Sequence, residues 1–144
     1  MSEERKIDIF SGLVLIISII AMVMVFIGPF AEFYLGGGNY RRSCLDCEYS
    51  TVMDYISQIL IIVFLILQIV IALNELLPNK FISKDMTKVG LSLAVLTFVF
   101  ALIGLTSFGI EYAYYEWWPE LGFYGSIVGG LINTVLFFLK QKNK

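Results

Sequence analysis

Residues 9–30 read IFSGLVLIISIIAMVMVFIGPF, a run of 22 residues without an ionisable side chain. About 20 consecutive apolar residues cross the roughly 30 Å hydrocarbon core of a bilayer as a helix. In lipid such a run must be helical, because no water is present to bond its backbone groups. It is longer than the apolar core of a signal peptide and no small-residue cleavage pattern follows it, so we interpret it as a retained anchor.

Three further runs of the same kind follow, at residues 52–77, 89–110 and 121–139. The last two carry no charge, and the first has Asp54 and Glu75 only near its ends. The chain is 58% hydrophobic and 15% charged, whereas soluble domains carry about 25% charged residues. The sequence therefore predicts an all-α integral membrane protein, with residues 1–144 forming one four-helix domain.

The basic residues predict how the chain is oriented. Eight of the ten Lys and Arg residues lie before the first run, in the loop 78–88 or after the fourth run. The loop 31–51 has only Arg41 and Arg42, and the loop 111–120 has neither residue type. Since Lys and Arg are retained on the cytoplasmic side, we expect both termini in the cytoplasm, loops 31–51 and 111–120 outside, and a location in the cell membrane.

Small and polar residues recur along each run at alternating three- and four-residue spacing. Helices in lipid associate through small residues and interhelical hydrogen bonds, and a seven-residue repeat implies a left-handed supercoil. We expect an antiparallel left-handed four-helix bundle, with room for a small extracellular β or loop cap. The third and fourth helices should approach most closely. The predicted packing residues of the last three helices are Gln68, Gly90, Ala94, Ala101, Gly104, Gly122, Ser126, Gly129 and Asn133.

Two features of this pattern leave alternatives open. Gly125 and Gly129 form a small-xxx-small pair, which serves either packing within the bundle or a contact between two copies. Gln68 and Asn133 are buried amides that fit hydrogen bonds between helices. A transport pathway is disfavoured, because such pathways carry ionisable groups at mid-membrane depth and the four runs have none there.

The external loops are acidic and rich in aromatic residues. They carry two basic and seven acidic residues, counting Asp54. The rings fit an aromatic belt at the lipid headgroups, and they also fit a protein-binding platform, since Trp and Tyr dominate interface hot spots. The candidate interaction surface consists of Tyr112, Tyr114, Tyr115, Glu116, Trp117 and Trp118.

Cys44 and Cys47 are separated by two residues in the first external loop. On the outer side of a membrane a disulfide between them is favoured, and it would pin a glycine-rich loop beside the second helix. The alternative is a catalytic pair that exchanges with other thiols.

Several classes of function are excluded or disfavoured by composition. The chain has no histidine and two cysteines, so it lacks the commonest general base and metal ligand and cannot form a four-thiolate zinc site alone. Its pI near 5.0 gives no reason to expect nucleic-acid binding. We therefore expect no metal and no cofactor, and as partners the lipid bilayer together with another membrane or extracellular protein, or a second copy.

The predicted architecture resembles the claudin and peripheral-myelin-protein tetraspans. It shares with them four passes, cytoplasmic ends, a longer first external loop with two cysteines and a shorter second loop. The fourth run, ELGFYGSIVGGLINTVLFFLK at 120–140, is similar to the small-and-aromatic opening of that family's last helix. The resemblance implies an antiparallel bundle with an extracellular sheet or cap and a role in adhesion, barrier formation or assembly.

A second resemblance is to bacterial disulfide-forming enzymes of the DsbB type, which also have four passes and a Cys-x-x-Cys before the second helix. It implies a membrane thiol–disulfide oxidoreductase using Cys44 and Cys47. The segment 109–120 holds no second cysteine pair, so a partner would have to supply it. The leading hypothesis is a non-enzymatic protein of interaction, adhesion or assembly, or an accessory subunit of a membrane complex; the oxidoreductase is the alternative.

Overall fold

The computed structural model describes residues 8–144; Arg5 and Lys6, which entered the count of basic residues, lie outside the described residues. Its helices are α1 (Ile9–Ile27), α2 (Val52–Leu76), α3 (Thr87–Glu111) and α4 (Leu121–Lys142). Its strands are β1 (Ala31–Tyr34), β2 (Tyr40–Ser43) and β3 (Glu116–Pro119). The chain is thus mostly helical, with one small sheet.

Each of the four helices is long and apolar enough to cross a membrane, which confirms the four predicted runs. They have 19, 25, 25 and 22 residues, and their mean hydropathies are 2.9, 2.9, 2.3 and 1.6. α1 ends at Ile27, before the predicted 30, because Gly28 adopts an extended conformation ahead of Pro29, which disfavours a helical preceding residue. Residues 28–30 connect α1 directly to β1.

The buried side of each helix is lined by small and polar residues. In α1 the buried residues are Ser11, Val14, Ser18, Ala21 and Val25, and in α3 they include Gly90, Ala94, Thr97, Ala101 and Gly104. In α4, Gly122, Ser126, Gly129 and Asn133 are buried. In α2, Leu65 is buried and the neighbouring Phe64 is half-buried.

Gly122, Gly125 and Gly129 of α4 do not pack against α3, although α3 and α4 were expected to approach most closely. Gly122 lies against the backbone of the Gly28–Pro29 turn, and Gly125 lies against Ala21 and Met24 of α1. Gly129 faces Ala21 of α1 and Leu65 of α2. The Gly125–Gly129 pair is therefore used within the bundle.

Contact between α4 and α3 depends on a different glycine. Gly130 lies against the backbone of Phe98, so a side chain there has no room. Gly130 belongs to a five-residue π-helical segment, Val128–Ile132, that interrupts α4. The wider turn leaves both Gly129 and Gly130 buried, so α4 contacts α1 and α3 on adjacent glycines.

The three strands form an antiparallel sheet in the order β2-β1-β3. β1 and β2 form a hairpin of the first loop, whose turn holds Gly36, Gly37 and Gly38 at positive φ, a conformation that glycine adopts without strain. β3 comes from the second loop, so the sheet joins both predicted external segments. Pro119 is the last residue of β3, and α4 begins two residues later at Leu121.

Candidate functional site: the sheet cap

The sheet, the Cys44–Ser50 turn and the end of α3 form one structure at one end of the bundle, which we call the cap. Its central strand alternates between two sides. Ala31 and Phe33 are buried, 0% and 1% exposed, and they face the helices. Since side chains alternate along a strand, Glu32 and Tyr34 lie on the opposite, outer face.

Phe33 is the centre of the inner face. Its ring stacks on Tyr112 with centroids 4.0 Å apart and lies edge-on to Tyr49 at 5.9 Å. Phe108, fully buried at the end of α3, is 6.1 Å away. Aromatic pairs at these separations add to the stability that burial provides, so the cap is held on the bundle by rings from both loops.

The sequence had suggested that Tyr112 belongs to a free interaction surface. In the structure Tyr112 is half-buried and packs into the cap. Its hydroxyl donates to the carbonyl of Tyr49 at 2.7 Å, which ties the two loops together. Burial, followed by the charge of Glu111, raises the pKa of Tyr112. Trp117 has a similar role, because its ring lies over Gly109 and within 6.2 Å of Phe108.

The other predicted interaction residues remain accessible. Tyr114 is 100% exposed and Tyr115 is 44% exposed, and Glu116 is also exposed. Trp118 is half-buried on the outer face, and its indole N–H donates to Glu120 at 2.6 Å.

The outer face also contains residues that the sequence did not single out. Tyr40 of β2 is 54% exposed, and its ring lies 5.2 Å from that of Tyr34 and 6.0 Å from that of Trp118. Glu32 pairs with Arg42 at 2.9 Å. Tyr34 and Tyr40 could have been found from the alternation within 31–34 and 40–43, once these segments were recognised as strands.

Cys44 and Cys47 form a disulfide, as predicted. The turn around it is held by Ser50, whose hydroxyl donates to the Cys44 carbonyl at 2.7 Å and accepts from the Cys44 N–H at 3.1 Å. A cavity of about 330 Å³ borders the bridge, and its other wall is formed by the last turn of α1 and Pro29.

A buried carboxylate connects this turn to α2. Asp54 is 0% exposed, accepts from Ser43 at 2.9 Å and accepts from the N–H and hydroxyl of Thr51, each at 2.9 Å. Gln58 donates to the Ser43 hydroxyl at 3.1 Å. Several donors are needed, because a buried carboxylate without them is very costly. In the sequence, only the Thr-x-x-Asp pattern of a capping box indicates this cluster.

The two predicted buried amides meet in the middle of the bundle. Asn133 donates to the Gln68 side-chain carbonyl and to the Ser18 hydroxyl, both at 2.8 Å. Gln68 donates to the Thr97 hydroxyl at 3.0 Å. This cluster joins all four helices, and all four side chains are 0% exposed.

The end opposite the cap is held by ion pairs. Lys140, only 6% exposed, lies 2.7 Å from Asp8 and 3.4 Å from Glu75 and donates to Ser11 at 2.7 Å. Burial opposes ionisation of Asp8, but its hydrogen bonds with Lys140 and Ser11 outweigh burial and lower its pKa. Lys144 pairs with Asp85, whose pKa is strongly lowered as a result.

The part of the chain that the structure describes, residues 8–144, contains no group of three or more metal-ligating side chains of the His, Cys, Asp or Glu type. No protein-family profile, curated protein or solved structure matches the chain. Function must therefore be argued from the four apolar helices, the cap and its disulfide alone.

Proposed function

We propose that the chain is a four-pass membrane protein with cytoplasmic termini, whose external cap acts in protein–protein interaction, adhesion or assembly, or as the docking part of an accessory subunit. The observation that carries the proposal is a sheet at one end of four lipid-compatible helices, with Tyr114 fully exposed in the turn that leads into β3. An exposed ring that packs on nothing adds no stability to the fold, which favours a binding role.

The distribution of charge supports the orientation. The loop 78–88 and the end of α4 lie at the end opposite the cap, and together they carry six Lys residues. The cap has only Arg41 and Arg42. Since basic residues are retained in the cytoplasm, the cap should face outward. The role in adhesion or assembly that the claudin-like interpretation implies is part of this proposal.

Cysteine labelling tests the orientation. A Cys47→Ser variant leaves Cys44 as the single thiol, and a membrane-impermeant maleimide should label it in intact cells. The matched control places a cysteine at Lys142 in the Cys44→Ser, Cys47→Ser background, and it should be labelled only after the membrane is permeabilised. The reverse pattern would contradict the proposed topology.

Site-specific cross-linking tests the interaction. A photoreactive amino acid at position 114 should cross-link to one defined protein, either another species or a second copy. The same amino acid at position 103, where Ile103 is 39% exposed on a helix, should contact lipid. If position 114 gives no protein adduct in native membranes, the cap is not an interaction platform.

A thiol–disulfide oxidoreductase is a second candidate, because the Cys44–Cys47 bridge borders an accessible cavity with an apolar wall from α1. In such an exchange the partner's dithiol is oxidised to a disulfide, while Cys44 and Cys47 take up two electrons and two protons. A Cys47→Ser variant should then trap a mixed disulfide through Cys44. Full function of the Cys44→Ser, Cys47→Ser variant would exclude this candidate.

A further inference from the structure

The cap's outer face has an aromatic centre, and the cap as a whole is rich in carboxylates. Tyr34, Tyr40 and Trp118, one from each strand, form the centre, with neighbouring ring centroids 5.2 and 6.0 Å apart. The cap also carries exposed carboxylates at Asp46, Glu48, Glu111 and Glu116, and Glu116 lies on this face, opposite Tyr34. An apolar centre with a polar rim is the usual anatomy of a protein–protein interface.

The two cations of the cap do not neutralise this rim. Arg42 is engaged by Glu32 at 2.9 Å. Arg41 belongs to the inner face, where its guanidinium lies 5.0 Å from the centroid of the Tyr49 ring. Across residues 8–144, the side chains of Asp46, Glu48, Glu111 and Glu116 form no ion pair or hydrogen bond.

We propose that this face binds a basic, Lys- or Arg-containing segment of a partner protein. The segment would place cations against Glu116 and the uncompensated charge of the cap, and over the faces of Tyr40 and Trp118, which attract cations through their ring electrons. Complementary potentials of this kind set specificity and speed association. The inference rests on the proposed function, since it requires the cap to be a protein-binding surface.

A second copy of this chain fits the face poorly. Two copies meeting cap to cap would bring two sets of unpaired carboxylates together, and like charges across an interface are costly. The Arg residues that could offset them are already engaged within each copy. The charge pattern therefore favours a partner of opposite sign over self-association through this surface.

The test uses the full chain in nanodiscs of neutral phosphatidylcholine and a fluorescein-labelled ten-residue peptide of alternating Lys and Ala. Fluorescence anisotropy should show saturable binding that weakens as salt is raised, because exposed charge pairs are screened within about 10 Å at 0.1 M salt. The matched peptide of alternating Glu and Ala should not bind.

Variants locate the binding. Glu116→Gln should weaken the affinity for the basic peptide about two- to five-fold, the range for loss of one exposed charge pair. Tyr40→Ala should weaken it by a similar factor. The control is Asp85→Asn, an acidic residue at the opposite end of the bundle, which should leave the affinity unchanged.

Three outcomes would overturn the inference: no binding of the basic peptide, equal loss in Asp85→Asn and Glu116→Gln, or cap-to-cap cross-links between two copies from position 114. A cross-link from position 114 to a partner whose contacting segment is acidic or neutral would leave the interaction function standing and remove only the basic-segment inference. Gel filtration and circular dichroism of each variant confirm that the fold is intact.

Discussion

Replacing Asn133 by Ala should weaken the bundle measurably, because this one amide group joins α4 to α1 and α2. Its Nδ2 donates to Ser18 and to Gln68, both at 2.8 Å, inside a fully buried cluster. Hydrogen bonds between membrane helices contribute about 0.6 kcal/mol on average and up to about 1.7 kcal/mol. Losing two should therefore cost about 1 to 3 kcal/mol.

One atom places the expected value toward the lower end of that range. The side-chain oxygen of Asn133 is buried and has no hydrogen-bond partner in the part of the chain that the structure describes. An unpaired buried acceptor costs free energy, and Ala removes that cost together with the two donated bonds. We therefore expect about 1.5 kcal/mol, which is roughly a ten-fold change in the unfolding equilibrium.

The assay is reversible unfolding in mixed micelles of rising sodium dodecyl sulfate fraction, followed by circular dichroism. The control is Val135→Ala, two residues along α4 and 51% exposed, whose loss lipid or detergent can fill. A Gln68→Ala, Asn133→Ala double-mutant cycle should give a coupling of at least about 0.5 kcal/mol. Additive effects, or an Asn133→Ala variant as stable as Val135→Ala, would refute the reasoning.

Three further predictions concern other parts of the bundle. Gly130→Ala should destabilise the bundle, because the added Cβ would meet the Phe98 backbone. Gly12→Ala has open space around its Cβ and should stabilise the bundle by about 0.5 to 1 kcal/mol. Chemical unfolding of both variants measures the two effects. Lys140→Met should cost about 1.5 to 3 kcal/mol, the range for a hydrogen bond to a charged group, because Asp8 loses its cation while Glu75 keeps Lys80 at 2.7 Å; the same assay measures it. Folding lowers the pKa of Asp8 below its ordinary value of 3.8. The ionised Asp8 should therefore stabilise the fold above pH 3.8, and this stabilisation should be lost as the pH falls through the lowered pKa of the folded state. In Asp8→Asn the free energy of unfolding should depend less on pH in this range.

The helices could be predicted from the sequence because lipid-compatible runs need only length and apolarity. Burial of Gly90, Ala94, Ala101 and Gly104 follows a simple period, so the inner side of α3 could be read directly. Which helix each glycine faces could not be read, because the period fixes a side of one helix and says nothing about its neighbour. Gly122 and Gly125 therefore turned out to face the Gly28–Pro29 turn and α1.

The cap was harder to predict because its strands have four residues each, too few for alternation to be convincing. Residues 31–34, AEFY, look like part of a loop until a third strand pairs with them. The aromatic cluster at 112–118 was recognised from composition, yet composition cannot separate rings that hold the cap, such as Tyr112 and Trp117, from the exposed ring of Tyr114. That division depends on contacts between two loops distant in sequence.

The two ends of the molecule are held in different ways, and the difference bears on function. The end opposite the cap depends on charge pairs around Lys140, which respond to pH and to neighbouring charges. The cap depends on stacked rings around Phe33, a disulfide and the bonds of buried Asp54 to Ser43 and Thr51. These contacts tie the loops 31–51 and 111–120 to α2 and α3, so the cap's outer face would have little freedom to lose on binding the proposed partner. Preorganisation of this kind reduces the entropic cost of association, which suits a sheet of only three short strands to the proposed binding role.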